Sequence, residues 1–425
     1  MSSPRRHVSA PPLNERRLLL TLAVVQFTHI LDFMIMMPLG PQFMRVFGIN
    51  PHQFSLLVSS YAFSAGISGL AASFFLDRFD RKHALLTLYS GFALGTLACA
   101  VAPSYGALLA ARILTGAFSG VGGSVVFAIV GDAVPAARRG RAMGLVMSAF
   151  SAAQVLGLPL GLSAAQHFSW HAPFLIIVVC ALVVLLVAGR ILPSLRLHHH
   201  HGVPVSPVRQ IRHILGARNH LVAFALSGLL TLASSLVIPF LSPAMVFNVH
   251  MTEDHLDLIY LCGGFATIFS MNYIGHWADR HGKFRAFAIM ALVSILPVLV
   301  VTHLGPVPLW EALAVSTIFI VTMSGRFVPA SAMITGAVVA RYRGGFSSIS
   351  AASQQICQGL GTYAAGLLVY QPVEQGRLEG YANVGYLSVG IVLISLVLAR
   401  RLQPADEAPA AGTAPGEFVT LEPVG

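Results

Sequence analysis

Residues 76–83 read LDRFDRKH and residues 278–285 read ADRHGKFR. Each is a short charged loop set between long apolar runs. Asp77 and Asp279 lie 202 positions apart, close to half of the 425-residue chain. A charged loop that recurs at half-chain spacing marks a duplicated unit. A hydrocarbon core of ~30 Å takes about 20 apolar residues to cross as a helix. Working outward from the two loops, runs of that kind fall at 18–40, 54–76, 84–102, 105–131, 142–166, 172–192, 219–241, 256–277, 284–303, 309–334, 344–370 and 382–402. Six precede a basic stretch at 193–218 and six follow it.

Composition agrees. Hydrophobic residues make up 56% of the chain and Asp, Glu, Lys and Arg only 10%, where a soluble domain carries about 25% charge. Mean hydropathy is +0.75. A soluble surface cannot be built from so little charge, which argues against a cytosolic enzyme, a nucleic-acid binder and a secreted disulfide protein. The four cysteines, Cys99, Cys180, Cys262 and Cys357, all lie in apolar runs without metal-ligand spacing. No metal and no cofactor is expected. There is no phosphate-cradling Gly-rich Lys loop, so ATP is not the expected energy source. The first apolar run is too long for a cleaved signal peptide and reads as a retained span.

The net charge of +10 is explained by where the cations fall. Twenty-two of the 26 Lys and Arg residues lie in the tails and in the connections from even to odd runs. The opposite connections hold only Arg45 and Arg377, and Arg112 and Arg326 lie inside runs. Cytoplasmic loops of membrane proteins carry this excess. The expectation is an all-α membrane protein with twelve transmembrane helices, arranged as two pseudo-symmetric six-helix bundles with both termini cytoplasmic. Its parts are a cytoplasmic tail (1–17), a first bundle (18–192), a basic cytoplasmic linker (193–218), a second bundle (219–402) and a disordered tail (403–425).

Asp32 is the one acid deep inside a run. A charge at the bilayer centre costs at least ~2.5–3.5 kcal/mol on insertion scales, so it marks function. A carboxyl that alternates between a dry setting and contact with a cation can load and release a proton. Asp32 lies about 21 Å from one membrane face and Arg112 about 10 Å from the other, at ~1.5 Å per residue, so their depths nearly coincide. Gln26, His29 and Asp32 step by three and share a helix face; His29 is a candidate relay. Gln154 and Gln355 fall at middle depth as candidate cavity-lining amides. Arg326 lies 17 residues into its run, within snorkelling reach of the cytoplasm, and is a candidate for a substrate or gating role. The run His198–His201 reads as solvated linker.

Several motifs carry a resemblance to the major facilitator superfamily. The loop pattern G-x-L-A-D-R-x-G-R-K is approximated by Leu76, Asp77, Arg78, Arg81 and Lys82, with Ser73 and Asp80 in place of its glycines. The repeat copy is closer, with Gly275, Ala278, Asp279, Arg280, Gly282 and Lys283. LLAARILTGAFSG (108–120) resembles the R-x-x-x-G element through Arg112 and Gly116, and GDAVPAARRGRAMG (131–144) resembles the connection after it. ILDFMIMMPLG (30–40) and GLPLG (157–161) are similar to the drug:proton antiporter and sugar-efflux branch.

The resemblance implies that Arg112 takes part in proton coupling. It implies a cytoplasmic gate built from Asp77, Arg78, Arg81 and Asp132, with Asp279 and Arg280 as the repeat copy. The function it implies is proton-coupled efflux of small molecules by alternating access, with an importing symporter as the near rival. The expected partners are a small-molecule substrate, protons and the lipid bilayer of a bacterial inner membrane, with no nucleic acid and a monomeric state. A membrane-embedded lipid-modifying enzyme is a distant alternative. It would use His250, Glu253, Asp254, His255 and Asp257, which read better as the cap of a helix start.

Overall fold

The computed structural model describes residues 15–72, 79–192, 214–339, 343–372 and 376–405. Among these there is no strand, only an isolated bridge between Tyr370 and Glu379. The helices are α1 (Glu15–Ile35), α2 (Pro51–Ala72), α3 (Arg81–Ala100) and α4 (Tyr105–Ala133). Then come α5 (Ala136–Ala152, continuing through a π-turn Ala153–Gly157 into Leu158–His167) and α6 (Ala172–Ile191). The second half has α7 (Arg218–Val237, continuing through Ile238–Phe240 into Leu241–Phe247), α8 (Leu256–His281), α9 (Lys283–His303) and α10 (Leu309–Gly325, then Phe327–Gly336). It ends with α11 (Arg343–Leu368) and α12 (Tyr381–Ala399).

Eleven of these helices are long and apolar enough to cross a membrane. The remaining one, α11, has the length, at 26 residues, but not the apolarity. The reason lies in its packing. Its small and polar residues lie between α2 and α7. Ser350 meets Ser227 at 3.3 Å, Thr362 donates to the Ser235 carbonyl at 3.3 Å, and a Cβ on Gly66 would come within 2.7 Å of Ile356. Small residues let helix backbones approach where lipid gives no hydrophobic push. By contrast, α6 turns Val179, Leu182 and Leu186 outward.

Helix packing repeats between the halves. In the first, α2 packs on α4, α3 on α4 and α6, and α1 on α5 and α6. In the second, α8 packs on α10, α9 on α10 and α12, and α7 on α11 and α12. The contacts that join the halves, α2 with α11 and α5 with α8, also exchange under that correspondence. The sequence offset of 202 carries the end of α1 at Ile35 onto the end of α7 at Val237, and Pro41 onto Pro243.

Several runs that read as continuous are interrupted. Proline lacks the N–H for an intrahelical bond, and its ring collides with the carbonyl four residues back. Pro329 places that collision at Gly325, and α10 breaks there, leaving Arg326 between its two segments. Pro159 follows the π-turn of α5. Pro38 and Pro41 accompany the break after α1, where a short helix, Gly40–Phe47, begins.

Candidate functional site

Inside the first half, α1 and α4 bring Asp32 and Arg112 together. Arg112 Nη1 donates to Asp32 Oδ2 at 2.7 Å and to the Asp32 carbonyl at 3.3 Å. Both side chains are fully buried. Thr96 on α3 donates to the other carboxylate oxygen at 3.1 Å. The Arg112 guanidinium lies over the Tyr61 ring of α2, 4.2 Å from its centroid, a cation–π contact that strengthens when desolvated. Four helices therefore hold one ion pair.

Two glycines make the arrangement possible. A Cβ on Gly116 would enter the Tyr61 backbone, and one on Gly120 would enter that of Ala65. With α2 this close, Tyr61 can face Arg112. A buried pair of this kind is attractive because the low dielectric strengthens it, yet breaking one side leaves an uncompensated charge.

His29, one helical turn away on α1, is buried but does not join the pair. Its ring meets Phe92 edge-on at 4.4 Å and Tyr89 at 5.5 Å, and both ring nitrogens lack hydrogen-bond partners. It fills space beside Gly122, whose Cβ would come within 2.8 Å of it. Gln26 also has a buried side-chain oxygen without a partner. Gln154 lies within the π-turn of α5, against Gly264 of α8, where the halves meet. Gln355 on α11 carries a buried, unpartnered side-chain oxygen.

Arg326 corrects a sequence expectation. It does not snorkel to the cytoplasm, because its residue exposure is 0%. The span runs on from Arg326 to Gly336, 28 residues from Leu309, so the head group lies well inside the span, against α7. Arg326 Nη2 donates to Ser234 Oγ on α7 at 2.8 Å. Its Nε and Nη1 have no partner, and among the described residues no carboxylate pairs with it.

At the end of the bundle near the termini, Arg81 Nε meets Asp132 Oδ2 at 3.1 Å, joining α3 to α4. Asp80, which stands where the family pattern has glycine, caps α3 by accepting from the Lys82 and His83 backbone N–H groups at 3.0 and 3.2 Å. Asp77, Arg78 and the His198–His201 run lie outside the described residues. Asp279 and Arg280 are exposed on the last turn of α8, and neither forms an ion pair among the described residues. Gly282 ends that helix with φ +96°, a conformation glycine tolerates best.

At the opposite end the halves are tied together. Arg45 pairs with Glu253 at 2.5 Å, Gln166 Nε2 donates to the Glu253 carbonyl at 2.8 Å, and Phe54 meets Phe240 edge-on at 5.8 Å. The N-cap of α8, His255, makes no side-chain capping bond, but Asp257 of the acidic cluster accepts from the Leu258 backbone N–H at 2.8 Å in the first turn. Glu253 serves the contact between halves. Among the described residues no group of His, Cys, Asp and Glu could hold a metal ion.

Sequence reasoning missed Thr96 and Tyr61, which accompany the pair, and Ser234, which faces Arg326. The repeat offset contained the last of these: 202 residues beyond Asp32 is Ser234.

A multi-pass helical bundle built from two similar halves, with an ion pair buried in one of them, defines a membrane transport protein. The profile of the Major Facilitator Superfamily matches residues 22–231 and 223–424, and the chain belongs to that family; it is a transporter and not an enzyme. It is 24% identical over 365 residues to the MFS-type transporter YceJ of Bacillus subtilis (strain 168), covering 85% of this chain and 92% of that one. It is 26% identical over 252 residues to a probable sugar efflux transporter of Helicobacter acinonychis (strain Sheeba), covering 59% and 63%. The crystal structure of a D-xylose-proton symporter superposes with a TM-score of 0.74 at 13% identity, over 92% of this chain and 98% of that one.

Proposed function

We propose that the chain is a proton-coupled exporter of small molecules, drug-like or sugar-like, working by alternating access in a bacterial inner membrane. The observation that carries this reading is the Asp32–Arg112 pair, fully buried and held by four helices. A proton arriving from outside neutralises Asp32 and releases it from Arg112. That changes the balance between two arrangements of the halves. A potential of 100 mV supplies ~2.3 kcal/mol per charge and each pH unit adds ~1.4. One proton per cycle then supports a gradient on the order of a hundredfold or more.

In this reading α11 is the twelfth crossing, its polar side chains shielded by α2 and α7, and both termini are cytoplasmic because the cations gather on their side. Arg81 with Asp132, and with them Asp77, Arg78, Asp279 and Arg280, form the cytoplasmic gate. Gln26, Gln154, Gln355 and Arg326 line the substrate path, and His29, whose ring nitrogens have no protein partner, relays the proton toward Asp32 by way of water. The Arg45–Glu253 contact closes the outer end. Export, as against import, draws support from the relatives named for sugar efflux. The protein functions as a monomer.

The test is accumulation of a panel of dyes, antibiotics and sugars in pump-deficient bacteria, with and without a protonophore. Wild type is expected to lower accumulation of some compounds, and Asp32→Asn or the protonophore to abolish the effect. Raised accumulation would replace export by import. Export that survives Asp32→Asn would overturn the assignment of the coupling residue.

A further inference from the structure

We propose that Arg326, held by Ser234, is the binding site for a carboxylate carried by the transported molecule, so that the substrates include small organic anions. The inference rests on the transporter reading above and names the substrate chemistry of its second half.

Three observations converge on it. First, one end of the site follows the repeat. Ser234 stands 202 positions after Asp32 on the helix that repeats α1, and Arg326, which comes from the helix that repeats α4 but stands 214 and not 202 positions after Arg112, reaches it at 2.8 Å. Where the first half supplies a carboxylate, the second supplies a hydroxyl. Second, the serine is already committed. Its hydroxyl donates to the Leu230 carbonyl at 3.0 Å and accepts from Arg326, so it fixes the guanidinium without neutralising it. Nε and Nη1 remain as buried donors without a protein acceptor. A carboxylate offers oxygens that accept such donors with charge assistance. Third, Arg326 lies at the break between the two segments of α10. Repeat-built transporters place substrate sites near the midplane, on interrupted helices.

Unpaired donors alone do not single out the site, because Arg112 Nε and Nη2 also lack hydrogen-bond partners. Charge makes the difference. Arg112 is balanced by Asp32 and stacked on Tyr61, whereas among the described residues Arg326 has neither an acid nor an aromatic face against its guanidinium.

The test uses the purified full chain and reads thermal unfolding against concentration for two probe sets at constant ionic strength. One contains acetate, lactate, gluconate and glucuronate; the other contains glucose and chloride. Variants are Arg326→Gln, Arg326→Lys and Ser234→Asp. At least one carboxylate is expected to stabilise wild type in a saturable way where glucose and chloride do not. Its apparent affinity should fall roughly ten- to hundredfold in Arg326→Gln, and less in Arg326→Lys, which keeps the charge. Ser234→Asp should raise the unfolding temperature without any probe and abolish the carboxylate response, because the protein then supplies its own anion.

A response equal for chloride and carboxylates overturns the substrate assignment in favour of an inorganic anion site. No carboxylate response in wild type, or one unchanged in Arg326→Gln and Ser234→Asp, overturns the proposal. Transport of neutral sugars or dyes measured on the same variants separates the two readings. If Arg326→Gln still moves neutral compounds, alternating-access transport stands whatever becomes of the anion site.

Discussion

The first half of the molecule holds its intramembrane arginine against an aspartate, and the second half holds its own against a serine. Both arginines are fully buried, and both reach the helix that begins their half. The duplicated fold thus places a serine where the first half has its aspartate, while the arginine that meets it stands 214 positions after Arg112 and not 202, so it comes from a different level of its helix. An internal acid makes the first site self-neutral, and a proton can change that. The second site stays cationic and needs an acceptor from elsewhere. One duplication can in this way divide coupling and recognition between two halves with equivalent packing.

The largest effect that would sharpen this contrast is on stability. Asp32→Asn leaves Arg112 charged and unpaired, which should cost roughly 3–5 kcal/mol. Removing the second charge as well, in Asp32→Asn/Arg112→Gln, should recover much of that loss. Arg326→Gln should be neutral or stabilising, since it removes a buried charge that has no counter-ion. Thermal unfolding of the purified variants checks all three. A loss in Arg326→Gln as large as that in Asp32→Asn would mean the two arginines are equivalent structural props, and the contrast would fail.

A smaller effect concerns how each half brings its helices together. In the first, a glycine on α4 faces Tyr61 of α2: a Cβ on Gly116 would enter the Tyr61 backbone. In the second the sides exchange. Residue 263, 202 beyond Tyr61, is the glycine, and its Cβ would meet Ile320 Cδ1 of α10 at 2.5 Å. Backbone cannot yield as the tip of a side chain can. Gly116→Ala should therefore cost about 1–3 kcal/mol or more, and Gly263→Ala distinctly less. Equal costs in unfolding experiments would show that the second interface is as rigid as the first.

The smallest stability effect is expected at the end far from the termini. Arg45 is half exposed, so removing its ion pair with Glu253 should cost no more than about 1 kcal/mol. The contact joins the halves, so its consequence is expected in their relative populations. Spin labels across the Gly40–Phe47 and Leu241–Phe247 segments should show a larger open fraction in Glu253→Gln than in wild type. An unchanged distance distribution would reduce the pair to a surface contact.

Most of the fold was legible because a simple rule holds: long apolar runs become long helices, and their repeat across the chain gives two similar halves. The Asp32–Arg112 pairing was legible too, since a charge in an apolar run needs a partner at its own depth. Where that rule gave out, the cause was local. The run at 344–370 reads as one of twelve apolar runs, but α11 is rich in Ser, Gln and Gly and lacks the apolarity of the other eleven helices. The burial of Arg326 comes from its contact with Ser234 on α7, and depth counted along one helix does not see a neighbouring helix. His29 shares a face with Asp32 as its spacing says, but that its neighbours are the aromatic rings of α3 was not legible. Side-chain surroundings of that kind come from neighbouring helices and not from spacing along one helix.

The central claim is that Asp32 links movement of the halves to protons. The most direct measurement uses everted membrane vesicles energised by an imposed pH gradient, with labelled sugars, sugar acids and cationic dyes as probes. Wild type and Asp32→Asn would be compared for gradient-driven uptake and for exchange without a gradient. The account predicts that wild type accumulates at least one probe when the gradient is applied. Asp32→Asn should still exchange that probe across the membrane, which shows that it is folded, but no longer concentrate it. Gradient-driven accumulation by Asp32→Asn equal to that of wild type would contradict the account.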